Sequence, residues 1–259
     1  MRKILVLAYG VAAYAVFFGV FMYAIGFVGG FVTPTKLDGP LQGSIGTALA
    51  INLGIALLFG LQHSVMARPA FKEMLTKFIP QPIERSTYVL ATNLVMLLLF
   101  WQWRPMGIMV WTVQHPLMQG MIWTLYGAGW LTVFGTTLLI NHFDLFGLRQ
   151  VWLYFCGQPY TQLKFVTPGP YKFIRHPLYI GWLMVFWFTP HMGAAHLLFA
   201  VGMTAYILIA IQFEERDLVK YHPDYADYQQ RVPMLIPRLQ VSTEQPKQNP
   251  MLHKEPTRA

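Results

Sequence analysis

A series of long apolar segments dominates this chain of 259 residues and assigns it to the lipid bilayer. The segments cover residues 5–31, 44–66, 87–103 and 118–141, followed by a pair at 177–190 and 193–213. A helix needs about 20 apolar residues to cross the hydrocarbon core, and the first four segments approach or exceed that length. Only 12% of the residues are charged, against about 25% in a soluble domain. These observations predict an all-α integral membrane protein.

The final pair of apolar segments allows two arrangements. Residues 177–190 are too few to cross the bilayer alone, so the pair is either a helical hairpin or one interrupted span. In the hairpin, 17 of the 19 Lys and Arg residues fall on one side of the membrane, and only Lys36 and Arg104 lie opposite. Basic residues concentrate on the cytoplasmic side. We therefore favour the hairpin, with about five transmembrane helices and both termini in the cytoplasm.

Residues 1–238 are expected to form a single membrane-embedded domain. Arg2 and Lys3 precede the first apolar segment as in a signal peptide, but that segment is too long for one and is predicted to be a retained helix. Residues 239–259 are polar and contain several prolines, which is typical of a disordered tail. The formal net charge of +8 arises mainly from short loops, which indicates membrane orientation rather than nucleic-acid binding. The single cysteine, Cys156, excludes an intramolecular disulfide.

Two polar clusters at the ends of apolar segments are candidates for catalysis, because polar side chains near the bilayer are costly and often functional. His63 lies at the end of the second segment, where it is either an interfacial cap or a base that deprotonates a substrate. His142, Asp144 and Arg149 follow the fourth segment. They either hold a loop by ion pairing or supply a base, an orienting carboxylate and an anion-binding group.

A third polar cluster combines residues 169–181 with the acidic pair Glu214 and Glu215. A proline begins a helix directly after His176, and the free amides of a helix N-terminus attract an anionic group. The hairpin returns the acidic pair to the same end of the bundle. Arg175 and these amides suit a carboxylate, the acidic pair suits hydroxyls or an ammonium group, and nearby aromatics suit a ring. The cluster therefore fits a zwitterionic ligand, with interfacial ion pairing as the alternative.

The C-terminal third resembles the isoprenylcysteine carboxyl methyltransferase superfamily of membrane enzymes. The matching elements are Gly-Pro-Tyr at 169–171, Arg-His-Pro-Leu-Tyr-x-Gly at 175–181, Glu-Glu at 214–215 and Tyr-x-x-Tyr-x-x-x-Val-Pro at 225–233. Further segments resemble the methanethiol S-methyltransferases, close to the nurim-like branch; they lie at 62–68, 84–88, 101–105 and 140–150. One departure is His222-Pro223-Asp224-Tyr225, where the family pattern is His-Gly-x-x-Tyr.

The resemblance implies methyl transfer from S-adenosylmethionine to methanethiol, a small volatile thiol, giving dimethyl sulfide. It implies a multi-pass protein, with the bacterial inner membrane as the expected location and the active site facing the cytoplasm. It also implies a cofactor pocket built mainly from residues 165–238. The residues expected to bind the cofactor are Tyr171, Arg175, His176, Leu178, Tyr179, Gly181, Glu214, Glu215, Tyr225 and Arg231.

The catalytic residues are expected to gather near the sulfonium of the cofactor. They are His63, His142, Asp144 and Arg149, because each lies where an apolar helix reaches the cytoplasmic face. His63 is the favoured base, and His142 oriented by Asp144 is the alternative. A histidine base predicts a rate that rises with pH through about 6–7.5 and then plateaus. Arg149 acting alone on a thiolate predicts no such inflection.

Several alternatives for the function stay open at this point. Methanethiol offers few atoms to bind, so a small pocket is expected to exclude larger thiols. Hydrogen sulfide, a lipid amine or a prenylcysteine carboxylate are alternative acceptors, and a non-catalytic nurim-like protein is the alternative outside enzymes.

The sequence contains no metal-binding motif, since the histidines lack the spacing of a zinc helix. The oligomeric state is not predicted.

Overall fold

A computed structural model describes residues 1–163, 165–222 and 224–237. Within these residues the chain forms ten α-helices and two short strands, with 3-10 turns at Gln81–Ile83 and Gly169–Lys172. The predicted tail at 239–259 lies outside the described residues. The elements in chain order are α1 (Arg2–Gly29), α2 (Ile45–Ala67), α3 (Pro69–Leu75), α4 (Glu84–Gln102), β1 (Met109–Thr112), α5 (Pro116–Ile140), α6 (His142–Leu145), α7 (Leu148–Cys156), α8 (Pro177–Trp187), β2 (His191–Gly193), α9 (Ala194–Tyr221) and α10 (Asp224–Arg231).

The long helices confirm the predicted all-α membrane fold. Four helical segments are long and apolar enough to cross a membrane, namely α1, α2, residues Gln81–Gln102 around α4, and α9. Helix α5 has 25 residues, which is also sufficient length for a span. Helix α8 has only 11 residues, as its short apolar segment indicated, and depends on its neighbours for burial.

Helices α8 and α9 form the predicted helical hairpin. At one end, Nε2 of His176 lies 2.9 Å from Oε1 of Glu215. Towards the other end, Nε1 of Trp187 donates to Oγ1 of Thr204 at 2.9 Å. The residues that connect α8 and α9 include β2, which pairs antiparallel with β1 from the α4–α5 connection. The acidic pair on α9 therefore returns to the start of α8, as the sequence predicted.

Three connections meet at one end of the bundle, which we call the strand end. There the Asp38 carboxylate, in the α1–α2 connection, accepts hydrogen bonds from the backbone N–H groups of Gly193 (2.6 Å) and His196 (3.0 Å). Nearby, the Asn52 side chain and the Arg104 backbone exchange two hydrogen bonds of 2.8 Å each. Since successive long helices alternate in direction, α3, α6, α7 and α10 lie at the opposite end, which we call the loop end.

Helices α5 and α8 pack with unusually close backbones. A Cβ atom on Gly181 of α8 would lie 2.9 Å from the backbone nitrogen of Val133, and one on Gly129 of α5 would lie 3.0 Å from the carbonyl oxygen of Gly181. Small residues at helix contacts permit such an approach in membrane proteins. This packing attaches the short α8 to a full-length helix and fixes the position of the side chains on the first turn of α8.

Candidate active site

A cavity of about 780 Å³ lies within the bundle, lined by residues of α1 to α6, α8 and α9. Small-molecule sites usually have volumes of about 300–1,000 Å³. The lining changes character along the bundle. Near the loop end it forms a polar end, which comprises Arg68, Lys72, Arg85, Glu214 and Asp217. Towards the strand end it forms an inner chamber, which comprises Ala24, Phe27, Met96, Leu99, Phe199 and Met203.

The polar end contains three basic side chains and two acidic ones. Nη1 of Arg68 lies 2.9 Å from Oδ2 of Asp217, and both side chains are partly exposed. Burial, together with the charge of Arg85, lowers the pKa of Lys72. Arg68, Lys72 and Arg85 thus form a basic cluster that suits an anionic group such as a carboxylate.

Three of the residues predicted to bind the cofactor line this cavity: Leu178, Tyr179 and Glu214. The first two lie on the first turn of α8, directly after the helix start at Pro177. The hydroxyl of Tyr179 donates to Oε2 of Glu214 at 2.8 Å. The hairpin therefore brings the two predicted motifs together at the cavity wall and orients one carboxylate towards the cavity.

Glu215, the neighbour of Glu214, belongs to a different environment. It is 6% exposed and absent from the cavity lining. Its carboxylate accepts from Nε of Arg175 at 2.6 Å and from the Gln229 side chain at 2.7 Å. Nε2 of His176 lies 2.9 Å away, and the Tyr225 hydroxyl donates at 3.3 Å. These five residues, which we call the Glu215 cluster, form a buried network behind the cavity wall.

The Glu215 cluster also fixes the segment after α10. Nη1 of Arg175 donates to the carbonyl oxygen of Val232 at 2.7 Å. The backbone N–H groups of Arg175 and His176 donate to the carbonyl oxygens of Pro233 (2.9 Å) and Met234 (3.2 Å). Arg175 and His176, which their motif predicted to bind the cofactor, thus connect the C-terminal segment to the start of α8.

The other three residues predicted to bind the cofactor lie away from the cavity lining. The Tyr171 carbonyl oxygen accepts a hydrogen bond from the hydroxyl of Tyr228 at 2.6 Å. Burial raises the pKa of the Tyr171 hydroxyl. Burial also raises the pKa of the Tyr228 hydroxyl, to about 12. Gly181 faces α5 at Val133. Arg231 is exposed on the last turn of α10.

His63, on the last turns of α2, lines the cavity. The hydroxyl of Tyr88 lies 2.9 Å from its Nε2 and 3.1 Å from its Nδ1, and Oγ1 of Thr92 lies 3.3 Å from Nδ1. Its ring stacks on Phe59, with ring centroids 5.4 Å apart. In a neutral ring one nitrogen accepts and the other donates, so Tyr88 can donate to Nε2 while Nδ1–H donates to Thr92. The contacts to Nδ1 are the longer ones, at 3.1 and 3.3 Å.

His142 also lines the cavity, and both of its ring nitrogens make short hydrogen bonds. Thr137 donates its only hydroxyl proton to the Phe134 carbonyl at 2.7 Å, so its oxygen accepts from Nδ1–H of His142 at 2.8 Å. The lone pair of neutral Nε2 then accepts from the hydroxyl of Tyr14, also at 2.8 Å. Burial lowers the pKa of His142, which favours this neutral, fully bonded form.

Asp144 and Arg149 pair with each other outside the cavity. Nη1 of Arg149 lies 2.8 Å from Oδ1 of Asp144, and the guanidinium also donates to the backbone and side-chain oxygens of Thr161 at 2.9 and 2.7 Å. The pair thus holds the segment that follows α7. Of the four predicted catalytic residues, the two histidines line the cavity. Within the described ranges, no group of three or more His, Cys, Asp or Glu residues is positioned to hold a metal ion.

Several residues of the cavity were not predicted. Arg85, Tyr88 and Thr92 line it from one face of α4, and their spacing of three and four residues is the signal that could have identified them. Asn93 and Trp130 also line it, and Nδ2 of Asn93 and Nε1 of Trp130 have no hydrogen-bond partner among the described residues. An asparagine within an apolar segment is itself a signal, because its amide is costly in a membrane.

Two bacterial proteins named methanethiol S-methyltransferase are similar to this chain over most of its length. The protein from Crocosphaera subtropica is 52% identical over 238 residues, which cover 92% of this chain and 93% of that protein. The protein from Mycobacterium tuberculosis is 49% identical over 238 residues, which cover 92% of this chain and 98% of that protein.

A more distant similarity links the chain to Nurim. Nurim of Xenopus laevis is 30% identical over 181 residues, which cover 65% of this chain and 62% of Nurim. No protein-family model matches the chain, and no solved structure shows significant similarity to it. The identities of about one half across nearly the full length of the bacterial relatives establish that this chain belongs to the methanethiol S-methyltransferase family.

Proposed function

We propose that this protein transfers a methyl group from S-adenosylmethionine to methanethiol, giving dimethyl sulfide. The observation that carries the proposal is the central cavity, where a carboxylate, a basic cluster and two histidines line one continuous space. Relatives at 52% and 49% identity bear the name of this reaction. A single cavity would let the donor and the acceptor meet directly, as methyl transfer requires.

The side chains at the polar end fit S-adenosylmethionine. The cofactor carries a carboxylate, an ammonium group, ribose hydroxyls and an adenine ring, and when bound it supplies an electrophilic methyl group on a sulfonium. The basic cluster of Arg68, Lys72 and Arg85 suits the carboxylate. Glu214 suits the ammonium group or the hydroxyls, and Tyr179 orients it. Arg175, His176 and Glu215 then support this wall from behind.

On the acceptor side, the chain's task is to remove the thiol proton. A thiolate is a far better nucleophile than a thiol, and simple thiols are weak acids. His63 lines the same cavity, and the contacts to its Nδ1 are long, at 3.1 and 3.3 Å. Both ring nitrogens of His142 make hydrogen bonds of 2.8 Å, to Tyr14 and Thr137. This difference supports His63 as the base and His142 as a positioning residue of the cavity wall.

Headspace gas chromatography of membranes that contain the protein tests the proposed reaction. Methanethiol and S-adenosylmethionine are expected to give dimethyl sulfide, and control membranes without the protein are expected to give none. Parallel incubations with hydrogen sulfide, a lipid amine and a prenylcysteine separate the alternative acceptors. Binding of S-adenosylhomocysteine without any turnover would contradict the proposal and favour a non-catalytic role.

Glu214→Gln is expected to weaken binding of S-adenosylhomocysteine by about 10–100-fold, since a hydrogen bond to a charged group contributes about 1.5–3 kcal/mol. The substitution retains the shape of the side chain and an acceptor for Tyr179, so the thermal stability should stay near that of the wild type. Calorimetric titration of the detergent-purified protein measures the change. Glu73→Gln, on the exposed face of α3, is the matched control and should bind as the wild type does.

We further propose that residues 1–238 act as one membrane-embedded domain, with the loop end and its polar site in the cytoplasm of a bacterial inner membrane. The basic side chains at the loop end support this orientation. Reporter fusions at Lys36 and after residue 238 are expected to report opposite sides of the membrane. Reports from the same side would contradict both the orientation and the proposed topology.

A further inference from the structure

The amide of Asn93, on α4, is buried at the cavity wall without a hydrogen-bond partner. Asn93 lines the cavity and is only 4% exposed, and its Nδ2 bonds none of the described residues. It lies within a helical segment that is long and apolar enough to cross a membrane. A buried N–H group without a partner costs free energy, and a polar side chain at such a position is by default a candidate for function. A bound group that accepts a hydrogen bond would remove this cost.

Asn52 shows how a structural asparagine is used in the same bundle. It is 0% exposed, and its amide exchanges two hydrogen bonds of 2.8 Å each with the backbone N–H and carbonyl groups of Arg104. These bonds attach α2 to the end of α4, and they leave the amide satisfied within the protein. Nδ2 of Asn93 has no comparable bond to the described residues, so a purely structural role does not account for it.

Contacts between α1 and α4 determine how deep Asn93 lies in the bundle. The hydroxyl of Tyr9 lies 3.1 Å from Oγ1 of Thr87, and the rings of Tyr23 and Phe100 have centroids 4.8 Å apart. Thr87 follows Tyr9 by 78 positions, and Phe100 follows Tyr23 by 77. The two helices therefore run parallel with a nearly constant offset, and Asn93 lies at the level of the α1 residues just after position 14.

Both histidines of the cavity lie at the level of Asn93. The hydroxyl of Tyr14, on the same turn of α1, lies 2.8 Å from Nε2 of His142. Thr92, the neighbour of Asn93 on α4, has its Oγ1 3.3 Å from Nδ1 of His63. An amide and two imidazoles thus occupy one level of the cavity, between the polar end and the inner chamber.

This level suits the acceptor sulfur rather than the carboxylate of the donor. Arg85, in the basic cluster proposed to bind the carboxylate, lies eight residues before Asn93 on α4, about 12 Å along the helix axis. A donor that extends inwards from the basic cluster brings its methyl group, and then the acceptor, towards Asn93. Trp130, whose Nε1 also has no partner among the described residues, lies deeper. Its ring contacts Phe21, about 10 Å beyond Tyr14 along α1.

We propose that Asn93 binds the acceptor sulfur of methanethiol and stabilises it as a thiolate. This inference rests on the proposed function and names a further residue of its acceptor site. Rotation about the terminal torsion of the side chain, which is soft, presents an amide N–H group to the cavity. A hydrogen bond to a charged acceptor is stronger than one to a neutral acceptor, so the amide favours the thiolate over the thiol.

The methyl transfer then proceeds with a balanced set of bonds. The thiol gives its proton to His63, and the sulfur keeps the electron pair while it accepts a hydrogen bond from Asn93. That pair forms the new bond to the methyl carbon. The bond between this carbon and the sulfonium sulfur breaks, and its electrons stay on the donor sulfur. The product, dimethyl sulfide, is neutral, so Asn93 holds the thiolate more tightly than the product.

Replacing Asn93 with leucine removes the amide and nearly keeps the size of the side chain. The kcat/KM for methanethiol is expected to fall about 10–100-fold, the usual range for loss of a hydrogen bond to a charged group. The Kd for S-adenosylhomocysteine should stay near that of the wild type. The Tm should equal or exceed the wild-type value, because leucine leaves no unpaired donor. Headspace gas chromatography, calorimetric titration and thermal unfolding of the detergent-purified protein measure the three quantities.

Two other variants serve as controls. Thr124→Val removes a polar group from the exposed face of α5 and should match the wild type in all three measurements. Asn52→Leu breaks both bonds to Arg104 and should lower the Tm, as loss of a structural asparagine does. A fall in Tm for Asn93→Leu as large as that for Asn52→Leu, with an unchanged kcat/KM, would assign Asn93 to structure and overturn the inference.

The bound thiolate gives a second readout that does not depend on turnover. A thiolate absorbs ultraviolet light more strongly than a thiol, so methanethiol added to the wild-type complex with S-adenosylhomocysteine is expected to give a thiolate difference spectrum. Asn93→Leu should give a weaker spectrum at equal occupancy. Asn93→Asp, which keeps the shape but replaces the donating group by a carboxylate oxygen, should also weaken it and provides the test if the leucine variant does not fold.

The outcomes separate this inference from the proposed function. If the wild type forms dimethyl sulfide and both variants at Asn93 keep the wild-type kcat/KM and difference spectrum, the inference is wrong and the proposed function stands. If both variants instead lose binding of S-adenosylhomocysteine, Asn93 contacts the donor, and the inference is again wrong. If the wild type forms no dimethyl sulfide, the proposed function fails and the inference fails with it.

Discussion

Replacing Glu215 with alanine is expected to lower the free energy of unfolding by about 3–5 kcal/mol, which is typical when one partner of a buried ion pair is removed. The Glu215 side chain is 8% exposed, and that of Arg175 is 11% exposed. Without the carboxylate, the Arg175 charge stays buried, and among the described residues the carbonyl oxygens of Gln229 and Val232 remain to accept its protons. Thermal and denaturant unfolding in detergent micelles measure the loss.

Two variants define the cause of this destabilisation. Glu215→Gln keeps the shape and an acceptor but removes the charge, so an intermediate loss of stability is expected. Glu214→Gln changes the adjacent carboxylate, which faces the cavity, and should leave the stability near that of the wild type. If Glu215→Ala instead keeps wild-type stability and loses binding of S-adenosylhomocysteine, then Glu215 is a ligand, as its motif alone predicted.

The different environments of Glu214 and Glu215 illustrate what sequence patterns leave open. Both were predicted to bind the cofactor because the hairpin returns them to the same end of the bundle, and that return is confirmed. An α-helix turns about 100° per residue, so adjacent side chains leave the helix in different directions. The direction depends on how α9 rotates against α8 and α10, and no pattern in the sequence specifies that rotation.

The helices themselves were largely predictable, because long apolar segments have few alternatives in a bilayer. The predicted segment at 118–141 corresponds to α5 (Pro116–Ile140), and the short segment at 177–190 corresponds to the short helix α8. The pairing of β1 with β2 was not predicted. Both strands have only three or four residues, which is too short for an alternating pattern to be detected.

Part of the site could be predicted from the positions at which the apolar segments end. His63 and His142 reach the cavity because both lie where a helix ends at the loop end. His142 and Asp144 lie two residues apart on the short helix α6, so their side chains leave it about 200° apart. Asp144 then pairs with Arg149, which faces the segment at Thr161. Proximity in sequence thus indicated the end of the bundle but not the direction in which each side chain points.

Replacing His63 with alanine is expected to lower kcat by about 10²–10⁴, the usual contribution of a general base. Binding of S-adenosylhomocysteine should change little, because the residues proposed to bind the cofactor stay in place. The wild-type rate should rise with pH as the base loses its proton, and this inflection should disappear in His63→Ala. Imidazole added to the variant is expected to restore part of the rate, which loss of packing alone would not allow.

His142→Ala separates the two histidines. Burial lowers the pKa of His142, so its ring is neutral above about pH 6.5, and a base with that pKa would give a rate that falls only below this pH. Because its two nitrogens bond Thr137 and Tyr14, the substitution is expected to reduce stability by about 1–3 kcal/mol while the pH profile keeps its wild-type inflection. If His63→Ala retains the wild-type kcat and inflection, and His142→Ala loses both, then His142 is the base and its bond to Tyr14 must open during the reaction.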